Sequence, residues 1–327
     1  MSDLSTTFMG LQLKNPIIVA SSHLTFDIDK LKKCEAAGAG AVVLKSLFEE
    51  QIRIESDRMI GELNFDAYTD AYDYFQQTSQ DYHLNKYLEL VEQAKQNLSI
   101  PVIASVNCIS DGNWIEYAER FEKMGADALE LNVFIIPADE NTTGKVIEDK
   151  YIDILKKVKK KVHIPVALKL GSQFSGMAHT MRRFGQEGAD GLVLFNRFYK
   201  PDIDIEKLKL RAAQIYSVPE EMNFTLQWVA ILAGKVNADI AATTGIHSSA
   251  DIIKQILAGA HVVEMCSVFM KKGIEIIDTY LKEIEQWMEG KGFDSLTDFR
   301  GKMSQESLEH PEAYERSQYV KSLVGIE

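Results

Sequence analysis

Short apolar runs alternate with amphipathic segments about eight times along this chain of 327 residues. The runs are Pro16–Ala20, Ala41–Lys45, Pro101–Val106, Ala128–Asn132, Pro165–Leu170, Gly191–Phe195, Ile240–Thr243 and His261–Met265. Runs so short and so continuously apolar read as parallel strands buried on both faces. Between them, Tyr87–Gln96, Trp114–Met124, Tyr151–Val158, Met177–Glu187, Gln227–Lys235 and Ser249–Ala258 place apolar residues at helical spacing. The returns into the strands share a wording: Ala36-Ala37-Gly38-Ala39-Gly40, Gly125-Ala126-Asp127, Gly188-Ala189-Asp190 and Gly259-Ala260. Glycine there ends the helix, and the small residue beside it lets the chain turn tightly into the next strand. The expected fold class is therefore α/β, a closed (β/α)8 TIM barrel. The barrel is expected over residues 1–300, followed by a polar, helical tail at 301–327. An open, doubly wound sheet with extra elements is the alternative.

Two connections are too long for simple turns: Phe48 to about Asn85 after the second strand, and Val133 to Lys150 after the fourth. Both fall on the C-terminal side of their strands, where loops serve as lids or pocket walls. A dimer contact or plain decoration is the other reading of the first.

Several strands end on residues that an apolar run has no structural reason to carry: Lys45, Asn132, Lys169 and Asn196. In a parallel barrel the C-terminal ends of the strands surround the mouth where chemistry takes place. Two lysines and several amides, Asn107 included, would make a cationic, hydrogen-bonding floor for an anionic or electron-rich ligand. Each lysine needs a negative partner to offset its desolvation. A flavin ring, which gains negative charge near N1 on reduction, is one such partner. Glu130, on the same face as Asn132, is another, in an ordinary salt bridge. After the seventh and eighth strands come Thr244-Gly245-Ile246-His247-Ser248 and Cys266-Ser267, in the positions where barrels hold phosphate on loop N–H groups. Helix capping by Ser248 or Ser249 explains part of that pattern without any ligand. His23 and His247 read as loop histidines.

The net charge of −12 argues against a nucleic-acid partner. The three cysteines, Cys34, Cys108 and Cys266, lie far apart, which excludes a Cys-ligated iron–sulfur cluster and a disulfide framework. No metal site is expected. Ser2-Asp3-Leu4-Ser5 lacks the character of a secretory signal, and no apolar stretch is long enough for a bilayer. A soluble, cytoplasmic protein is expected, without a membrane partner.

The residues that carry a resemblance are Asn15-Pro16-Ile17-Ile18-Val19-Ala20-Ser21, Gly38–Ser46, Glu130-Leu131-Asn132, Pro165–Leu170, Asn196, Thr244-Gly245-Ile246 and Asp298–Lys302. In this order and spacing the chain resembles the FMN-dependent dihydroorotate dehydrogenases over roughly residues 5 to 300. The resemblance implies FMN as cofactor, with oxidation of dihydroorotate to orotate in pyrimidine biosynthesis or action on a related dihydropyrimidine. It implies Ala20 and Ser21 beside the flavin ring, Lys45 touching flavin and substrate, and Ser46 nearby. Asn107, Asn132 and Lys169 would be further flavin contacts, and Asn132 and Asn196 would hold the substrate ring. Lys45, Asn132 and Lys169 would carry the chemistry. Thr244, Gly245, Cys266 and Ser267 would surround the phosphate. A homodimer and a separate electron-transfer subunit are both compatible with the family.

The departures are specific. After the fourth strand the family runs Asn, any residue, Ser, a Cys or Ser base, then Pro-Asn; this chain reads Asn132-Val133-Phe134-Ile135-Ile136-Pro137. Ile135 stands where the base belongs, and an alkyl group accepts no proton. An asparagine expected after the second strand has no match among Tyr68–Tyr74, and Cys266 replaces a glycine. The Gly-Gly pair expected near Phe224–Trp228 is missing as well. Asp139, Thr142 or Thr143 of the same loop are the candidate substitutes for the base. An FMN-binding pseudoenzyme is the alternative, and an aldolase with Lys169 as Schiff-base nucleophile is a third reading.

Overall fold

The computed structural model of the chain describes residues 2–54, 69–108, 111–197, 200–316 and 319. The chain opens with an antiparallel hairpin, β1 (Thr6–Phe8) and β2 (Leu11–Leu13), turning at Met9-Gly10. The barrel begins with β3 (Ile17–Val19) and β4 (Ala41–Val43), and a short β5 (Leu47–Phe48) runs beside the strand that follows. It continues through β6 (Val102–Asn107), β7 (Ala128–Asn132), β8 (Val166–Leu170) and β9 (Gly191–Leu194). A second hairpin, β10 (Pro201–Asp204) and β11 (Lys209–Ala212), precedes the last barrel strands, β12 (Asp239–Thr243) and β13 (Val262–Met265). Parallel pairing runs β4–β3–β13–β12–β9–β8–β7–β6, and β4 pairs with β6 to close the ring. The closed barrel excludes the open-sheet alternative, and each expected strand is present with its ends shifted by at most two residues.

The helices among the described residues include α1 (Ile28–Ala36), α2 (Thr69–Asn97), α3 (Asp111–Lys123), α4 (Gly144–Lys159), α5 (Met177–Gln186), α6 (Met222–Leu232), α7 (Ser249–Ala258), α8 (Ser267–Lys272), α9 (Ile276–Lys291) and α10 (Ala313–Arg316). α1, in whose lysine-rich sequence only Leu31 and Cys34 are buried, ends at the expected Ala36-Ala37-Gly38 return. α2 begins at Thr69, so the second half of the expected Phe48–Asn85 connection is helix; residues 55–68 of that connection lie outside the described residues. The front of α2 is rich in Asp, Thr, Ser and Gln, which weakens its helical signal. In the second expected connection, Gly144 already starts α4, leaving 133–143 as loop. Beyond residue 300, Gly301 and Met303 donate backbone N–H to Ile256 and Leu257 of α7, and Gln227 of α6 donates to the Tyr314 carbonyl. Residues 317–318 and 320–327 of the expected tail lie outside the described residues.

Strand alternation divides the apolar residues into two groups that the barrel wall keeps apart. Ile17, Val42, Val102, Leu129, Leu168, Leu192 and Val263 point outward and pack under the helices. Ile18, Val43, Ile103, Ala128, Ala167, Val193, Ala241 and Val262 point inward, together with Phe8, Met9 and Leu13 of the first hairpin. The hairpin therefore stoppers the N-terminal end of the barrel, and the Met9 N–H is fixed by the Asp239 carboxylate at 2.7 Å.

The Gly-Ala-Asp returns have a further use. Gly125 and Gly188 take φ of 92° and 100°, which a side chain would resist. The aspartates that follow then reach sideways. Asp127 accepts from the Val102 N–H and pairs with Lys95, while Asp190 accepts from the Val166 N–H and pairs with Lys159. Each return thus ties a helix to the start of a neighbouring strand.

Phe8 is 1% exposed and fills the stoppered end. Phe8→Ala is expected to lower stability by about 3 kcal/mol, seen as a lower urea midpoint with an unchanged slope.

Candidate active site

With the lower interior filled by alkyl groups, the next inward positions of the same strands are polar. Counting two residues onward from Ile103, Ala128, Ala167, Ala241 and Val262 gives Ser105, Glu130, Lys169, Thr243 and Glu264. One further step gives Asn107, Asn132 and Cys266 at the mouth, with Lys45 two residues after Val43.

The lower of these polar layers holds three charges. Lys169 is 7% exposed, and its Nζ lies 2.8 Å from Glu264 Oε2 and 3.5 Å from Glu130 Oε2. Burial works against the ammonium, but the charges of Glu130 and Glu264 outweigh it and hold the lysine pKa above its ordinary range. Glu130 is 1% exposed; burial, then the nearby Glu264 carboxylate, push its pKa from the ordinary 4.5 to about 8, against the pull of Lys169. Glu130 Oε1 accepts from Ser105 Oγ at 2.9 Å, across the β6–β7 register that sets Ser105 beside Glu130. Glu130 Oε2 has no hydrogen-bond donor. The structure thus corrects the expectation of a floor made cationic by two lysines: Lys169 is neutralised by Glu264, with Glu130 beside it. The salt bridge considered for Glu130 is present, with a second carboxylate that strand eight had displayed in Val262-Val263-Glu264-Met265. The signal that exposes Lys169, a charge inside a buried run, applies equally to Glu264.

Lys45 differs. It is half-buried, has no ion-pair or hydrogen-bond partner for its ammonium among the described residues, and borders a cleft of about 500 Å3 shared with Ser46, Phe26, Leu47, Tyr82 and Lys86. The asparagines meet: Asn107 Nδ2 donates to the Asn132 carbonyl at 2.8 Å, and Asn196 Nδ2 donates to Asn132 Oδ1. Ala20 N–H is held by the Met265 carbonyl, and Ser21 Oγ contacts Ser46 Oγ at 3.1 Å.

The loops after β12 and β13 form a separate group. Thr244 and Gly245 both have positive φ, 74° and 77°, and a Cβ on Gly245 would stand 2.2 Å from the Met222 nitrogen. Thr244 Oγ1 donates to the Phe195 carbonyl, and Ser267 Oγ accepts from the Ser217 N–H at 3.1 Å. His247 is buried, with Nε2 3.0 Å from Ser217 Oγ; burial and then Lys271 depress its pKa, so the ring stays neutral. Burial raises the Cys266 thiol pKa and keeps it protonated. Ser217 and Lys271, which close this corner, lie in segments without any motif.

Ile135 is half-buried, its side chain packed against the core and its N–H donated to Tyr151 Oη at 3.1 Å. Of the candidate substitutes, Asp139 is folded into its own turn: its carboxylate accepts from the Asn141 N–H and from Thr142 Oγ1, and these bonds lower its pKa. Both features disfavour it as a proton acceptor. His23 is exposed on a short helical turn.

The model of the dihydroorotate dehydrogenase family matches residues 3–288. The chain is 26% identical over 309 residues to the catalytic subunit of dihydroorotate dehydrogenase B (NAD(+)) of Thermoplasma volcanium, covering 92% of this chain and 98% of that protein. It is 27% identical to the protein of the same name from Pyrococcus abyssi, covering 91% of this chain and 98% of the relative. A putative dihydroorotate dehydrogenase A (fumarate) of Aeropyrum pernix is also 27% identical, covering 91% and 97%.

Glu130 binds a proton more tightly in the folded chain than when unfolded, so the protein should lose stability as pH rises from 4.5 through about 8. Glu130→Gln has no proton to lose. Urea midpoints measured across that range should fall more steeply for the wild type than for the variant.

Proposed function

The chain belongs to the dihydroorotate dehydrogenase family and is a flavin-dependent oxidoreductase, and we propose that its flavin is FMN and its substrate dihydroorotate or a related dihydropyrimidine. The observation that carries this reading is the Lys45 ammonium, without a partner among the described residues, at a mouth where Asn107, Asn132 and Asn196 are linked. A half-buried cation without a counter-charge favours a ligand that brings one, and linked amides favour a flat ring with carbonyl and N–H groups.

The residues present fit the cofactor. Ala20 and Ser21 offer small side chains beside a ring, with Ser46 behind them. Lys45 supplies the net positive charge, because Lys169 is already balanced by Glu264 and Glu130. Lys169 stands beside Asn132 in the β7–β8 register. Thr244, Gly245, Cys266 and Ser267 would hold the phosphate end, and the Gly245 N–H has no acceptor among the described residues. FMN held by these residues would supply the hydride-accepting chemistry. Asn132 and Asn196 orient the substrate ring, and the packed Ile135 side chain excludes water without taking a proton. None of the comparisons favours a non-catalytic barrel.

The relatives named as catalytic subunits support a separate electron-transfer subunit as partner. Among the described residues no helix is long and apolar enough to cross a membrane. We place the protein in the cytoplasm, in keeping with its three unpaired cysteines.

Anaerobic mixing of the FMN-loaded protein with dihydroorotate and a panel of dihydropyrimidines should bleach the oxidised flavin band. An unchanged spectrum throughout the panel would reject this substrate class. Lys45→Ala should weaken FMN binding about tenfold or more in a fluorescence titration, the scale of one lost hydrogen bond to a charged group. Ile135→Cys should accelerate bleaching by roughly 10²-fold, the lower end of what a positioned base contributes.

A further inference from the structure

A line of hydroxyls leads from the barrel mouth to the buried carboxyl pair. Ser21 Oγ, half-buried after β3, lies 3.1 Å from Ser46 Oγ; Ser46 Oγ lies 2.7 Å from Ser105 Oγ; Ser105 Oγ lies 2.9 Å from Glu130 Oε1. We propose that Glu130 stores a proton for the active site, and that Ser105, Ser46 and Ser21 pass it to and from the mouth. The relay is a property of this chain whichever ring binds, so it goes beyond the substrate assigned above.

Each hydroxyl is fixed by a contact outside the line. Ser21 Oγ accepts the Ser46 N–H at 2.8 Å, which leaves its own O–H available to Ser46 Oγ. The Ser105 backbone is gripped at both N–H and carbonyl by Tyr87 Oη, at 3.0 Å each, which fixes the strand position from which Ser105 Oγ reaches Glu130. Ser46 is 6% exposed and Ser105 fully buried, so bulk water does not compete along the middle of the line. A serine hydroxyl can donate and accept at once, as a relay requires.

The inner end suits storage. The groups facing Glu130 are the Ser105 hydroxyl from β6, the Lys169 ammonium from β8 and the Glu264 carboxylate from β13; Thr243 on β12 gives its hydroxyl to the Glu264 carbonyl instead. With both glutamates ionised the group would carry one net negative charge in an interior of low dielectric. A proton on Glu130 removes that charge. The transfer balances. A proton taken by Ser21 Oγ releases the Ser21 proton to Ser46, the Ser46 proton to Ser105 and the Ser105 proton to Glu130 Oε1. Each hydroxyl ends with one proton, its O–H reversed. The return trip runs through the same atoms in the opposite sense. Inward transfer needs an ionised Glu130, so the store first sends its own proton outward to water at the mouth and is then refilled by the proton that hydride loss leaves behind, which Ile135 cannot receive.

The test uses the purified full chain without substrate. The protonated Glu130 should give an infrared carbonyl band that Glu130→Gln abolishes and that shifts down on transfer to D2O. In Ser46→Ala that isotope shift should slow by about tenfold or more, as expected for losing one linking hydrogen bond. Ser46→Thr, which keeps the hydroxyl, should restore the wild-type rate. Ser105→Ala serves as the second interruption should Ser46→Ala fail to fold. An exchange rate unchanged by the interruption overturns the relay, and a wild-type spectrum lacking any band sensitive to Glu130→Gln overturns the store. Neither result depends on dihydropyrimidine turnover, so failure of the relay and failure of the substrate assignment are separately visible.

Discussion

Three ionisable groups, Lys169, Glu264 and Glu130, share the interior of the barrel, and much of the site follows from how they are balanced. Removing one partner from a buried ion pair costs about 3–5 kcal/mol, because the charge left behind has no solvent. Lys169 is therefore committed to Glu264 and Glu130. Its ammonium anchors strands β7, β8 and β13 to one another at the level just below the mouth. That commitment passes the task of meeting an anionic ligand to Lys45, the half-buried lysine three strands away around the barrel, whose charge nothing among the described residues offsets. One lysine is structural glue with an electrostatic consequence; the other is the open cation of the site.

Much of this was legible in the residues alone. A parallel strand covered on both faces has no place for an unpaired charge, so Lys169 and Asn132 stand out against Leu168 and Leu131. The eight strands could be read because each is short and apolar, and all but β12 follow directly on a glycine-rich or proline-marked return. Their closure into a ring adds what no single segment carries: Glu130 and Glu264, 134 positions apart by number, meet one ammonium only because β13 returns beside β3. Glu264 obeys the same rule as Lys169 and was readable; its partnership was not. The serine line was less readable still, since Ser21, Ser46 and Ser105 are common residues whose meaning lies in distances across three strands.

The hairpins show the opposite difficulty. Thr6–Leu13 is too short to announce itself, and its purpose depends on the hole it fills. The β10–β11 hairpin alternates Asp202-Ile203-Asp204-Ile205 and Lys207-Leu208-Lys209-Leu210, a period of two in plain sight. Yet Ile203, Ile205, Leu208 and Leu210 are all exposed, so the alternation here marks a strand without marking a buried face. Ile135 is the reverse case: visible as a departure in sequence, and given its physical meaning by the Tyr151 hydroxyl and the core that hold it in place.

The stopper formed by Phe8, Met9 and Leu13 turns the barrel into a blind well. A tube open at both ends could admit a reactant below and discharge a product above; this one has a single doorway. Whatever enters leaves by the way it came, and two small reagents that need the same floor must take turns on it.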